Sequence, residues 1–127
     1  MVPGSAGSAK PLQWVGSSKE DLRAFPKDVR RVMGQAMFEA QRGTKHLDAK
    51  PMKGFGGTGV LEVVKRADGN TYRAVYTIRV TGVIYVLHAF QKRSKRGIAT
   101  PRRDIDLIRS RLRTAQEHYA RATGRKP

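Results

Sequence analysis

The sequence contains no cysteine and only three histidines. Without cysteine, neither a disulfide framework nor a thiolate metal site can form, and the redox compartment of the protein is left open. The acidic residues form no cluster that would bind a metal together with histidine. We therefore do not expect a metal-dependent hydrolase, and we predict neither a metal nor another cofactor.

Long apolar segments are missing as well. No run approaches the roughly 18 apolar residues that a membrane span requires, and residues 1–10 lack the apolar core of a signal peptide. We expect a soluble, cytoplasmic protein without a membrane partner. Residues 1–10 are rich in glycine, serine and alanine, which predicts a flexible leader, and residues 11–124 should form one folded domain.

Acidic residues are few beside the basic ones. The chain has 10 Asp and Glu against 26 Lys and Arg, which gives a formal net charge of +16 at pH 7. This excess favours a polyanionic partner, such as nucleic acid, an acidic protein or an anionic membrane surface. The densest basic segment contains Lys92, Arg93, Lys95 and Arg96. Such a cluster more often binds a polyanion than is simply solvated.

Two helices are predicted near the start of the folded part. After a short strand candidate at residues 12–15, Ser17 and Glu20 have the spacing of a capping box, so a short helix should begin there. Pro26 suits the first turn of a second helix that ends at Gly43. The two helices should form a hairpin. The apolar face of the second helix consists of Val29, Val32, Met33, Ala36, Met37 and Ala40.

A three-stranded antiparallel meander should follow, approximately at residues 60–66, 71–80 and 83–90, with turns at 67–70 and 81–82. The third strand is apolar on both faces, as expected of a protected strand. Alternation in the middle strand separates two sets of side chains. The expected core set is Tyr72, Ala74, Tyr76, Ile78 and Val80, and the opposite set is Arg73, Val75, Thr77 and Arg79.

Two further segments complete the chain. The glycine-rich segment 54–59 superficially resembles a phosphate-binding loop, but it opens a strand, whereas such loops open a helix. We therefore interpret it as a flexible approach to an edge strand. Thr100 and Pro101 predict the N-cap and first position of a last helix, which ends near Gly124. Its apolar stripe consists of Ile105, Ile108, Leu112, Ala115 and Tyr119.

This order of elements resembles the RelE/ParE toxin superfamily, and within it the HigB branch of phage-derived toxins. The resemblance rests on residues 59–63, 72–76 and 86–90, together with Lys92 and the Thr-Pro pair at 100–101. It implies an α+β, RelE-like fold with an N-terminal helix hairpin, an antiparallel sheet of three to four strands and a C-terminal helix. In that fold the helices are expected on one face of the sheet, with a concave, basic surface on the other.

The resemblance also implies the toxin of a type II toxin–antitoxin system. RelE and HigB members are ribosome-dependent endoribonucleases that cleave mRNA until a cognate antitoxin inhibits them. We therefore expect an mRNA endoribonuclease whose partners are mRNA, the ribosome with its RNA, and a HigA-like helix-turn-helix antitoxin. One alternative is a non-catalytic, ParE-like inhibitor of DNA gyrase or another target. A plain nucleic-acid-binding domain is a weaker one.

RNA cleavage without a metal uses the 2′-hydroxyl of the RNA as the nucleophile, so the protein need only orient the nucleotide, move protons and stabilise charge. Arg73 is the first candidate for phosphate binding, because a guanidinium donates two parallel hydrogen bonds and stays charged. By position in the family pattern, Lys92 or Arg93 would supply a second cation. His88 is the candidate for proton transfer. Glu62 is either a general base or a structural residue.

Each candidate also has a plainer interpretation. Arg73 is equally a solvated residue of the sheet, and His88 a hydrogen-bonded structural histidine. Trp14 and Phe38 should be core residues rather than platforms for base stacking. His46 and His118 should be surface residues. The remaining candidates for RNA contact are Lys53, Arg66, Arg79, Lys95, Arg96, Arg109 and Arg113.

Overall fold

The computed structural model describes residues 9–78, 80, 82–92 and 100–124. Four of the predicted site residues, Arg79, Arg93, Lys95 and Arg96, lie outside the described residues. The same holds for most of the predicted leader. The elements, in chain order, are β1 (Leu12–Trp14), α1 (Ser18–Arg23), α2 (Lys27–Gln41), β2 (Ala49–Pro51), β3 (Val60–Ala67), β4 (Asn70–Thr77), β5 (Ile84–Lys92) and α3 (Arg102–Thr123).

The sheet has five strands in the order β1-β5-β4-β3-β2. Its centre is the predicted antiparallel meander β3-β4-β5. The prediction of three to four antiparallel strands is wrong in two respects. Strand β1 adds to the sheet in parallel with β5, and β2 pairs with β3 as a fifth strand. No local pattern predicts β2, which has three residues and ends at Pro51, a residue tolerated at a sheet edge. The strand that the glycine-rich segment opens, β3, is therefore not an edge strand.

The turn between β3 and β4 confirms the predicted hairpin. Asp68 and Gly69 have φ of 51° and 79°, the left-handed values that a type I′ turn requires at both central positions. The far end of β4 differs from the prediction. The strand ends at Thr77, and Ile78 is 42% exposed rather than part of the core. The ladder to β5 begins only at Thr77 and Tyr85, so Ile78 belongs to the connection.

The helices follow the sequence signals with local differences. Gly43 follows the end of α2 with a φ of 85°. Pro26 is the N-cap residue of α2 rather than its first helical residue, and Pro101 is the N-cap of α3, because both have extended ψ values. The capping box is wrong, since the Ser17 hydroxyl donates to the Asp21 carboxylate at 2.7 Å. None of the described helices is both long and apolar enough to cross a membrane.

The predicted helix hairpin is only partly realised, because α1 has six residues and α2 has 15. The short helix is fixed to the sheet rather than to α2 alone. The buried Ser18 hydroxyl donates to the backbone oxygen of Val86 on β5 at 3.1 Å. The apolar face of α2 is confirmed, with Val32 partly buried and the other predicted residues buried: Val29, Met33, Ala36, Met37 and Ala40.

The helices cover both faces of the sheet, so the expected arrangement with all helices on one face is wrong. Helices α1 and α2 pack on the face that carries Tyr72, Ala74 and Tyr76. Helix α3 packs on the opposite face, where Val75 and Leu87 are buried beneath its stripe. The double-sided apolar character of β5 therefore has a simple cause, because a helix packs on each side of it.

A bulge in the β4–β5 ladder changes the face of one side chain. Val75 pairs with His88, whereas the next residue, Tyr76, pairs with Val86. Leu87 is therefore an extra residue on β5, and the alternation of β5 changes phase there. His88 lies opposite Val75 and shares its face, the α3 side of the sheet. Without the bulge, His88 would share the face of Val86, beneath α2.

Candidate active site

Three neighbouring strands place the predicted chemical groups on the α3 side of the sheet. Glu62 on β3 and His88 on β5 both pair with Val75 of β4, so the three residues form one row across the sheet. Arg73 lies two residues from Val75 and therefore on the same face. Asp104, from the first turn of α3, reaches His88 from above the sheet. These residues bring together a cation, two carboxylates and an imidazole.

Arg73 forms a buried ion pair with Glu62. Its Nη1 donates to Glu62 Oε1 at 2.6 Å, and the two side chains are only 6% and 8% exposed. The expectation of a side chain turned away from the core is wrong, because the α3 side of the sheet has an apolar core of its own. A buried charge needs a partner, and Glu62 supplies it. This contact fixes the orientation of the guanidinium, while phosphate binding by Arg73 stays a prediction.

The His88 side chain is buried beneath α3, on the face of β5 that this helix covers. Its Nε2 lies 2.8 Å from Asp104 Oδ1, and its ring stacks on Phe90 with centroids 4.5 Å apart. Burial lowers the pKa of His88, and the hydrogen bond to the Asp104 carboxylate opposes that effect only in part. Burial thus favours the neutral form of the ring. Its second nitrogen, Nδ1, is buried without a hydrogen-bond partner in the part of the chain that the structure describes.

Sequence reasoning missed Asp104. The residue is the third of α3, where an acidic side chain is commonly explained by its favourable interaction with the helix dipole. Nothing in its spacing from His88 indicates contact, since 16 positions separate them. Among the described residues, no three His, Asp or Glu side chains are grouped closely enough to hold a metal ion. The Asp104 carboxylate contacts the His88 imidazole.

The remaining predicted cations differ in how exposed they are. Lys92 is the last residue of β5 and is half-buried, while Lys53, Arg66 and Arg113 are exposed. Arg109 is exposed, but its guanidinium has two contacts within the protein. Its guanidinium stacks over the Phe55 ring at 4.7 Å and donates to the Gly54 oxygen at 3.3 Å, which ties α3 to the glycine-rich segment.

Two aromatic expectations gave opposite results. Trp14 packs partly buried against the core on the α2 side, as expected. Phe38 is 49% exposed on α2, so its assignment to the core is wrong. The guanidinium of Arg42, the C-cap residue of α2, lies 5.5 Å from the centre of the Phe38 ring. The helix has other residues for the core, and Phe38 lies outside its buried stripe.

His118 is exposed, as expected of a surface histidine, but it has a polar partner. Its Nδ1 lies 2.8 Å from the Tyr85 hydroxyl. Both residues line a cleft of about 220 Å³ between β1 and the second half of α3, together with Gln13 and Arg121. This cleft lies at the β1 edge of the sheet, whereas Glu62, Arg73 and His88 lie on β3, β4 and β5. It is therefore separate from the candidate active site.

A family of phage-derived proteins matches most of this structure. Residues 20–113 match the family model described as phage-derived protein Gp49-like (DUF891). The chain belongs to the Gp49-like family. The Gp49-like match extends from α1 into α3 and includes Glu62, Arg73, His88 and Asp104. Among curated proteins, no sequence matches the chain.

A solved structure has the same fold as this Gp49-like chain. It is an arginine double mutant of the E. coli toxin RelE in the free state, with a TM-score of 0.50 and 14% identity. The match covers 84% of this chain and 97% of the RelE chain. Identity this low shows the fold alone. The predicted RelE-like fold is thus confirmed, while the assignment to the HigB branch stays a prediction.

Proposed function

We propose that this Gp49-like protein is the toxin of a type II toxin–antitoxin system and that it cleaves mRNA on the ribosome without a metal. The observation that carries the proposal is the group of Arg73, Glu62 and His88 on one face of three adjacent strands. It combines a phosphate-binding cation with a neutral imidazole suited to proton transfer. The RelE-like fold and the Gp49-like family support the same class of function.

Each group has a task in this reaction. The 2′-hydroxyl of the RNA attacks the adjacent phosphate, His88 accepts its proton, and negative charge collects on the phosphorane oxygens. Arg73 stabilises that charge, since its planar donors match two phosphate oxygens. Glu62 keeps Arg73 in place in the free protein. On the ribosome, the phosphate competes with the Glu62 carboxylate for the same guanidinium.

The charge of the chain supports an RNA-rich target and an acidic inhibitor. The net charge is +16, and Lys53, Arg66 and Arg113 are exposed. These cations would contact ribosomal RNA phosphates. The antitoxin should be acidic where it meets the toxin, and a HigA-like helix-turn-helix protein encoded by the neighbouring reading frame is the expected partner.

Primer-extension mapping of cellular mRNA after brief induction tests this function. New cuts should appear within translated frames and should disappear when initiation is blocked, because cleavage requires the translating ribosome. Untranslated RNA serves as the internal control. Intact transcripts accompanied by DNA damage would contradict the proposal and would support a ParE-like inhibitor of gyrase instead.

A further inference from the structure

The imidazole of His88 is fixed by contacts on two sides. Asp104 Oδ1 lies 2.8 Å from Nε2, and the Phe90 ring stacks on the imidazole with an interplanar angle of 18°. The residue is only 6% exposed. Ring rotation would therefore break the contact with Asp104. The two ring nitrogens have different surroundings, and this difference determines their chemistry.

The hydrogen of the neutral ring must lie on Nε2. A carboxylate only accepts hydrogen bonds, so a 2.8 Å contact with Asp104 requires the hydrogen on the imidazole side. The opposite tautomer would direct the lone pair of Nε2 at the carboxylate oxygen and would be repelled. Nδ1 therefore carries the lone pair, and a lone pair is what a general base needs.

Nδ1 is also the atom that lacks a partner. It is buried and accepts no hydrogen bond from any described residue. Native proteins satisfy most buried polar atoms, so each exception needs an explanation. A bound substrate hydroxyl would supply the missing donor. The same nitrogen is thus both the basic atom and the atom left without a donor in the free protein.

We propose that Asp104 is a positioning residue that keeps the hydrogen of His88 on Nε2, so that Nδ1 receives the proton of the RNA 2′-hydroxyl. This inference rests on the proposed function. The hydroxyl O–H bond breaks and an Nδ1–H bond forms, while the freed oxygen bonds to phosphorus. The 5′-oxygen leaves and takes a proton from water, and His88 later returns its proton to the solvent. Asp104 stabilises the transient imidazolium through Nε2.

Charged groups from two helices surround the ring. From α3, the carboxylate of Asp104 favours the protonated form of His88, whereas the guanidinium of Arg111 opposes it. From α1, the carboxylate of Asp21 favours protonation. Arg111 is fixed, because it donates to the Leu87 oxygen at 2.9 Å and to the Ser17 hydroxyl at 3.2 Å. Replacing Asp104 with Asn therefore lowers the pKa of His88 further and removes the constraint on the tautomer.

The tautomer can be measured without any cleavage assay. In the full chain with ¹⁵N-labelled histidine, NMR should show His88 as the neutral Nε2–H tautomer at pH 7. Asp104→Asn should lose this single tautomer, because an amide can either donate to Nε2 or accept from it. The matched control is Asp106→Asn, which removes an exposed charge from the same turn, where Asp106 pairs with exposed Arg102 at 3.6 Å. An Nδ1–H tautomer in the wild type would overturn the inference.

The second measurement is the pH dependence of mRNA cleavage on programmed ribosomes. Asp104→Asn should cleave about 100-fold more slowly, the low end of the contribution of a general base, and the acid limb of its rate profile should move to lower pH. Asp104→Glu should recover part of the rate, and Asp106→Asn should match the wild type. An unchanged profile in Asp104→Asn would contradict the role of Asp104. A wild type that cuts no mRNA would refute the proposed function itself, whereas the NMR result reports the tautomer independently.

Discussion

Arg73 Nη1 donates to Glu62 Oε1 at 2.6 Å across two neighbouring strands, and both side chains are buried. The pair therefore has two roles, and a single substitution of Arg73 would affect both of them at once. It neutralises charge inside the protein, and it holds the guanidinium that we assign to phosphate binding. Removing Arg73 alone leaves the Glu62 carboxylate buried without its cation. Variants of this site must be interpreted with both consequences in mind.

Arg73→Ala should destabilise the protein. Breaking a buried ion pair by removing one partner costs about 3 kcal/mol or more of the free energy of unfolding, because the remaining charge stays uncompensated. Urea denaturation measures the change. The control is Arg31→Ala, which breaks an exposed pair with Asp28 and should cost less than about 0.5 kcal/mol. Equal stability of the two variants would show that the Arg73 pair is not a buried, coupled unit.

The double variant Glu62→Gln with Arg73→Met separates stability from function. Removing both charges should restore most of the stability that Arg73→Ala loses, because no buried charge is left behind. The double variant should nevertheless cleave mRNA at least about 100-fold more slowly, since the phosphorane loses its cation. Growth inhibition and ribosomal cleavage are the readouts. A folded double variant with undiminished toxicity would remove Arg73 from the mechanism.

Local patterns in the sequence predicted much of the fold. Three-four spacing found the buried face of α2, and the Asp68-Gly69 pair found the hairpin turn, because each depends only on neighbouring residues. The packing of α3 on the second face depends on distant segments. The apolar character of β5 on both faces is the local sign of this packing, and by itself it indicates only a protected strand. The burial of Arg73 follows from that packing and was therefore missed.

The candidate site depends on features that alternation alone does not reveal. The bulge opposite Val75 and Tyr76 places His88 on the face of Arg73, and the ideal period of two would have placed it elsewhere. The partner of His88, Asp104, comes from a different element. Residue types and order thus predicted Arg73 and His88 as candidates. The ion pair of Arg73 with Glu62 and the hydrogen bond of His88 to Asp104 follow only from the tertiary structure.

Folding stability should decrease as the pH falls through the ordinary range of histidine. Burial lowers the pKa of His88 below its usual 6.5, so the unfolded chain binds the proton more readily than the native protein. Stability from the neutral ring is fully present above pH 6.5 and is lost as the pH falls toward the lower native pKa. His88→Gln should flatten the pH dependence of the free energy of unfolding between pH 7 and 5. An unchanged slope would mean that His88 is not a buried neutral group.

Arg109 and Arg113 lie on one face of α3, and their replacement by Ala should affect the stability of the protein differently. Arg109 stacks on Phe55 and donates to the Gly54 oxygen, whereas Arg113 is exposed without such a contact among the described residues. If both contact ribosomal RNA, each Ala replacement should weaken ribosome binding and lower the slope of log affinity against log salt by about 0.7 to 0.9. Only Arg109→Ala should also lower the melting temperature, because the cation–π contact stabilises the loop. Arg113→Ala is thus the control for Arg109→Ala, and equal melting temperatures would contradict a structural role for the Phe55 contact.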